Sequence, residues 1–248
     1  MIEESINYVT RAEDSDRTLI VGGGIAAVAG LIGAVVGLIT FLTLGLGIIL
    51  FPFVLVPWIF LVGYYMRILG RTGSGNDELP SFDRFGDLLK KGAVYCLLLF
   101  VYYLVPLGIV AVSALLGVGI GGDGGGILAI LGILLAGVLS LGLTYVFPAA
   151  LTHYATEDDI MAAFAFSDIV AIVSTTDYVM AWLFGFALFF GAGLLAFGLG
   201  LIPFIGAILA SALQFVIGIP AFRAFGLAYR KGSRAATQSE PSAAPAVD

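Results

Sequence analysis

The chain has 248 residues, of which 60% are hydrophobic and 11% are charged, and its formal net charge is −6. Its mean hydropathy is +1.08, whereas soluble domains hold roughly 45–50% apolar and roughly 25% charged residues. This composition predicts a membrane protein and excludes a soluble domain; we expect the lipid bilayer as a partner and no nucleic acid. The single Cys96 lies in an apolar run, so neither a disulfide framework nor a cysteine metal site is predicted.

Residues 1–17 are predicted to form an N-terminal arm. The arm is acidic, and the apolar run that follows is too long for the core of a signal peptide, so we expect the arm to stay on the mature protein. Within it, Ile2, Ile6 and Val9 fall on one side of a helix. The spacing predicts a short amphipathic helix at the membrane surface.

Three long apolar blocks follow, at residues 18–66, 93–150 and 178–229. Each is about twice as long as the roughly 20 residues that one crossing needs, and each contains a glycine-rich stretch near its middle. These stretches read TLGLG, GVGIGGDGGG and GLGLIP. The blocks predict an all-α membrane protein with six transmembrane helices arranged as three hairpins over residues 18–230. Residues 231–248 are predicted to be a disordered tail.

The basic residues predict the orientation of these hairpins. All eleven Lys and Arg residues lie in the N-terminal arm, at or between the blocks, or at the C-terminal end. Because Lys and Arg near span ends favour cytoplasmic loops, both termini and the joints at residues 67–92 and 151–177 are predicted to be cytoplasmic. We therefore expect a multi-pass protein of the cell membrane.

Each hairpin is also preceded by a short segment that predicts an interfacial helix. In the segment SFDRFGDLLKK, four apolar residues lie opposite the charged ones: Phe82, Phe85, Leu88 and Leu89. The third segment begins with TEDD at residues 156–159, which resembles a capping box at a helix start. An interfacial helix followed by a hairpin would thus occur three times, although the three units share little residue identity.

The first span contains a glycine motif with two interpretations. Gly22, Gly24 and Ala27 have the G-x-G-x-x-A spacing of a dinucleotide-binding turn, but no acid follows at residues 40–50. Small residues also recur every four positions, which favours close packing against another helix. The residues of this packing stripe are Gly22, Ala26, Gly30 and Ala34.

The interior of the predicted spans contains few polar residues. Gln214 is the most polar central residue, and we expect it to form an interhelical hydrogen bond rather than to contact a substrate. The absence of ionisable residues near mid-span disfavours coupled transport. A structural role is predicted for His153, and capping or solvation for the acids at residues 77–78 and 157–159. No catalytic residue, metal site or cofactor is predicted.

One charged run carries a family resemblance. Residues 63–92 read GYYMRILGRTGSGNDELPSFDRFGDLLKKG, with an aromatic exit from a span, a basic pair and an acidic turn. This run resembles the signature of a multi-pass membrane family, domain of unknown function 4013, which is common in salt-loving archaea. The resemblance extends in hydropathy over residues 16–230 and implies a topology without catalytic residues. An isoelectric point near 4.6 agrees with a high-salt cytoplasm.

Three hypotheses for function follow. The first is a non-enzymatic membrane scaffold that binds a cytoplasmic protein or forms a homo-oligomer through its charged joints. The second is a pore or facilitator for a small neutral or lipidic solute. The third is a lipid-modifying enzyme at the inner surface, and an enzyme is the least favoured class because no arrangement of catalytic residues is readable.

Overall fold

The computed structural model describes residues 2–11 and 15–239, and all regular secondary structure in these two ranges is helical. Six helices are long and apolar enough to cross a membrane. The helices are α1 (Ile2–Arg11), α2 (Ser15–Leu42), α3 (Phe51–Gly73), α4 (Phe85–Ile120), α5 (Gly122–Glu157), α6 (Phe166–Val173), α7 (Thr176–Leu199) and α8 (Ile205–Ser239). Short 3-10 helices, Leu46–Leu50 and Ile160–Phe164, precede α3 and α6.

Consecutive spanning helices are separated at the glycine-rich stretches in the middle of the apolar blocks. The break between α2 and α3 contains Gly45 with a φ of 104°, and α4 and α5 meet at Gly121 with a φ of 67°. Glycine adopts this left-handed backbone without the steric cost that a side chain would impose. The third break, between α7 and α8, lies at residues 200–204. We call the ends of the helices next to these three breaks the tips.

Helix α3 is central to the bundle, because it packs against α2, α4, α5 and α8. Helices α4 and α5 pack along each other, as do α7 and α8, whereas α2 packs chiefly against α8. Helices α3 and α4 approach each other closely. A Cβ added at Gly63 would lie 2.0 Å from the Leu88 carbonyl oxygen, and one added at Gly92 would lie 2.0 Å from that of Ile59. Glycine at both positions lets the two backbones touch.

Burial is concentrated away from the tips. One cluster of buried side chains includes Tyr154 and Tyr178, and a second includes Tyr64 and Phe215. The large apolar side chains near the tips are exposed; Leu44, for example, is 97% exposed. Such surfaces suit a hydrocarbon environment, in which exposed apolar side chains cost nothing.

The helix predicted for residues 81–91 differs in the structure. Residues 81–84 are not helical, and α4 begins at Phe85 and continues without a break to Ile120. No proline interrupts the chain between Phe85 and the span, and Gly92 is held in the contact with α3, so the segment extends the spanning helix instead of forming a separate one. The predicted apolar face is also divided: Phe82 and Leu88 are buried in the protein, whereas Phe85 and Leu89 are exposed.

The TEDD segment, residues 156–159, ends α5 before its last residue caps the next helix. Helix α5 continues to Glu157, and inside it Thr152 and Thr156 donate side-chain hydrogen bonds to carbonyls one turn earlier. Asp158 has a positive φ of 54° and ends α5. The capping residue of the next 3-10 helix is Asp159, whose side chain accepts from the Met161 amide.

The structure also describes parts of both termini. The predicted disordered tail begins as helix, because α8 continues to Ser239; residues 240–248 lie outside the described part of the chain. In the N-terminal arm, α1 buries Ser5 and Tyr8 while Ile2 and Ile6 are exposed. The side chain of Val9 lies outside the described part. The predicted apolar side of α1 therefore faces away from the protein at Ile2 and Ile6.

Candidate functional site

Charged side chains join the helix ends opposite the tips. Ion pairs link α1 to α8, the loop at residues 74–84 to α8, α4 to the residue that ends α5, and α7 to α8. We call this part of the molecule the charged end. Two arginines from spanning helices, Arg67 and Arg223, are buried there with 7% and 3% of their surface exposed. Since a buried guanidinium must be paired, these two residues organise the site.

Arg67 of α3 binds the segment that leads into α4. Its Nε donates to Asp87 Oδ2 at 2.9 Å, and Nη1 donates to Asp83 Oδ1 at 3.0 Å. Nη1 and Nη2 also donate to the backbone carbonyls of Ser81 and Arg84, at 2.9 and 3.0 Å. A planar guanidinium suits four such contacts, because its donors point outward in a fixed fork.

These contacts account for the irregular backbone before α4. Arg84 has a positive φ of 47°, which costs a residue with a side chain roughly 1 kcal/mol. The hydrogen bond from Arg67 to the Arg84 carbonyl holds this conformation. Nearby, the Tyr64 hydroxyl donates to the Pro80 carbonyl at 3.0 Å, and its ring stacks on Phe82 at 4.2 Å. The loop is therefore fixed to α3 by both polar and aromatic contacts.

The surroundings of Asp83 change its acidity. Desolvation raises the pKa of this carboxyl, but a hydrogen bond with Ser81 and the positive charge of Arg67 oppose that effect and prevail. The pKa of Asp83 is therefore below its usual value. Asp83 stays ionised at neutral pH, as its partner Arg67 requires.

Arg223 of α8 joins the N-terminal helix to the first loop. Its Nη2 donates to Glu4 Oε1 at 3.1 Å and to Asp77 Oδ1 at 3.2 Å. Its Cζ lies 3.9 Å from the centre of the Tyr8 ring, a cation–π geometry. The Tyr8 hydroxyl donates to the Glu78 carbonyl at 2.8 Å, and burial raises the pKa of Tyr8 to about 12. The same arginine therefore holds α1, the loop and α8 together.

The predicted packing stripe faces α8. Gly22, Ala26 and Gly30 are buried and Ala34 is half-buried. A Cβ added at Gly30 would lie 2.4 Å from the carbonyl oxygen of Ala207 in α8. The positions of the dinucleotide motif lie inside the continuous helix α2, so the turn that nucleotide binding requires is absent there.

Two other residues of the sequence analysis, Gln214 and His153, lie in different surroundings. The side chain of Gln214 is exposed, and its backbone carbonyl, not its amide, accepts a hydrogen bond from Tyr65 at 3.4 Å. The predicted interhelical bond from the Gln214 side chain is therefore wrong, because the residue points away from the neighbouring helices. His153 is hydrogen bonded through Nδ1 to the Tyr229 hydroxyl, and its Nε2 lies 3.9 Å from Asp168.

Three acidic residues at the charged end contact other groups of the protein. Asp77 binds Arg223 and Arg230, Asp158 lies 3.8 Å from Lys91, and Asp159 caps a 3-10 helix. Over residues 2–11 and 15–239, no group of three His, Cys, Asp or Glu side chains is arranged to hold a metal ion.

From the sequence, Arg67 and Arg223 served only to predict which loops are cytoplasmic, and their structural role was missed. Both lie inside apolar, aromatic runs, YYMRILG and AFRAFG. An arginine isolated in such a run has no polar neighbour in sequence, so it must find a partner from elsewhere in the fold. An arginine isolated in an apolar run therefore indicates a buried ion pair, but it does not identify the partner residues.

Comparison with known proteins gives one family match. The family model described as protein of unknown function (DUF4013) matches residues 45–201, more than half of the chain. The matched region includes Arg67 and the whole loop that it binds. No curated protein and no solved structure matches the chain significantly. With its six apolar helices and this match, the chain belongs to the DUF4013 family of unknown function.

Proposed function

We propose that the protein is a non-enzymatic membrane scaffold whose charged end binds a protein partner at the cytoplasmic surface. The observation that carries this proposal is the pair of buried arginines. Arg67 and Arg223 tie one loop and four helices into one unit, although a flexible loop would suffice to connect spans. A surface of fixed shape binds a partner without the entropic cost of ordering loops.

The orientation that we propose follows the basic residues. The spans form three hairpins with their tips outside, and both termini and the charged end lie in the cytoplasm. Helix α1 lies at the membrane surface: its exposed Ile2 and Ile6 point away from the protein while Tyr8 anchors it to Arg223. The exposed Phe85 and Leu89, at the start of α4, reach the same interface. The acid excess at this end suits a high-salt cytoplasm.

The polar groups within the spans favour a scaffold over a pore. The Ser113 hydroxyl donates to the Ile109 carbonyl at 2.6 Å, and the Thr144 hydroxyl donates to the Ser140 carbonyl at 2.8 Å, each within its own helix. The Thr144 hydroxyl also lies 3.1 Å from the Tyr103 hydroxyl of α4, a single contact between two helices. Ser113 also lies against Gly132 of the neighbouring helix. Such hydroxyls are used locally and do not form a continuous polar path, which a facilitator of polar solutes needs.

Affinity purification from native membranes tests the proposal. A variant with Glu78→Gln, Lys90→Gln and Glu157→Gln removes exposed charges at the charged end and leaves Arg67 and Arg223 intact. The matched control is Asp123→Asn at a tip. We expect one protein to co-purify in a fixed ratio with the parent and the control, and to be lost from the triple variant. Equal recovery with all three proteins, or no partner together with solute flux in liposomes, would contradict the proposal.

A further inference from the structure

A long apolar groove lies between α2 and α3 on the outside of the bundle. Its volume is about 710 Å³, and its walls include Ile20, Gly24 and Ile32 of α2 and Phe53 and Pro57 of α3. Helix α2 packs more extensively against α8 than against α3, and the groove lies on the α3 side of α2. Its α2 wall carries no side chain at Gly24, where an added Cβ would meet nothing within 4 Å.

The dimensions of the groove match one hydrocarbon chain of a lipid. From Ile20 to Ile32 the wall spans 12 residues, or about 18 Å at a rise of about 1.5 Å per residue. Half of a hydrocarbon core about 30 Å thick is about 15 Å, the depth that a single leaflet provides. The groove is therefore long enough for the hydrocarbon chain of a lipid in one leaflet, with the lipid head group at the end near Ile20.

Two exposed arginines lie at that end. Arg17 is one helical turn before Ile20 and Val21, on the same side of α2 as the groove. Arg84 directly precedes Phe85, which lines the groove. The Arg84 side chain is 72% exposed, and its ion pair with Asp83 is long at 3.9 Å.

The charges around this end favour an anion. Asp83 and Asp87 are the acids nearest to Arg84 in the chain, and both are bound to the buried Arg67. Asp16, which precedes Arg17 in the sequence, lies in the first turn of α2. The helix dipole stabilises its negative charge there. The strained backbone at Arg84 is held by Arg67, and strain at an exposed residue is a feature of binding sites.

We propose that this groove binds one anionic glycerophospholipid, with a hydrocarbon chain between α2 and α3 and the phosphate between Arg17 and Arg84. The guanidinium groups supply the hydrogen bonds and charge that a phosphate needs, and the groove supplies the apolar contact. The apolar groove lies along the span, and only its head-group end borders the protein-binding surface proposed above.

Native mass spectrometry of delipidated protein tests the site, with phosphatidylglycerol and phosphatidylcholine added in turn. The parent should retain one phosphatidylglycerol in preference to phosphatidylcholine. Arg17→Gln with Arg84→Gln should reduce that preference by about 30-fold, equivalent to about 1 kcal/mol for each arginine. The hydrocarbon contact is tested by Gly24→Phe, which fills the groove and should abolish retention of the lipid.

The matched control is Gly23→Phe, because an added Cβ there also meets nothing within 4 Å and Gly23 is not part of the groove wall. It should bind phosphatidylglycerol as the parent does. The proposal is overturned if the double arginine variant keeps the full preference, or if Gly24→Phe binds lipid as well as Gly23→Phe. Should Gly24→Phe fail to fold, the arginine variant alone decides, since both of its substitutions are at exposed positions.

Discussion

Replacing Arg67 with alanine should destabilise the protein by about 3 kcal/mol. The substitution removes four hydrogen bonds from a buried cation, and breaking a buried charged pair costs about 3–5 kcal/mol. The lower end applies because the partners are partly accessible: the side chains of Asp83 and Asp87 are 53% and 38% exposed, so water can solvate them after the change. About 3 kcal/mol corresponds to a more than 100-fold change in the folding equilibrium.

Two further variants distinguish the hydrogen bonds of Arg67 from its positive charge. Arg67→Lys keeps the charge but loses the fork of donors, and should cost about 1–2 kcal/mol. Arg84→Ala removes an exposed arginine from the same loop and should change stability by less than about 0.5 kcal/mol. SDS titration of detergent-solubilised protein, followed by tryptophan fluorescence, measures all three. The reasoning is refuted if Arg67→Lys matches the parent or if Arg84→Ala is as damaging as Arg67→Ala.

Three other predictions follow from the structure. The pKa of Asp83 is lower in the folded protein than its usual value of 3.8, so its contribution to stability is complete above pH 3.8 and is lost as the pH falls through the folded pKa. Asp83→Asn should therefore flatten the acid side of a curve of unfolding free energy against pH. An unchanged curve would count against the ion pair. Gly30→Leu should lower the melting temperature strongly because its side chain meets the backbone of α8, whereas Gly23→Leu should not, and equal effects would argue against close packing there. In a background without the native cysteine, an impermeant reagent applied to intact cells should label a cysteine at Gly124 but not at Ser74; the reverse pattern would invert the proposed topology.

The sequence predicted the number and approximate position of the apolar helices because length and hydropathy determine them locally. It also located the breaks, since runs such as TLGLG and GVGIGGDGGG lower helix stability wherever they occur. Helix ends at the charged end were less predictable. The local pattern predicted a helix start near Thr156, but α5 continues past that residue. It placed Phe85 inside a surface helix, but α4 begins at Phe85.

The site depended on contacts that no local pattern encodes. Glu4 and Arg223 are 219 residues apart in the chain and meet only after α1 packs on α8. Phe82 has the sequence spacing of a lipid-facing residue but stacks on Tyr64, because Arg67 bends the preceding loop toward α3. Periodicity predicts which side of a helix is apolar, but it does not distinguish contact with lipid from contact with protein.

The central claim is that buried arginines hold the charged end in one fixed shape. Spin labels at Glu78 and Lys90, both exposed, measure the distance between the loop and the start of α4 by pulsed electron paramagnetic resonance. We expect a single narrow distance distribution for the parent in lipid nanodiscs and a broader one after Arg67→Ala, because the loop loses its hydrogen bonds to Arg67. A broad distribution in the parent, or an unchanged narrow one in the variant, would contradict the claim.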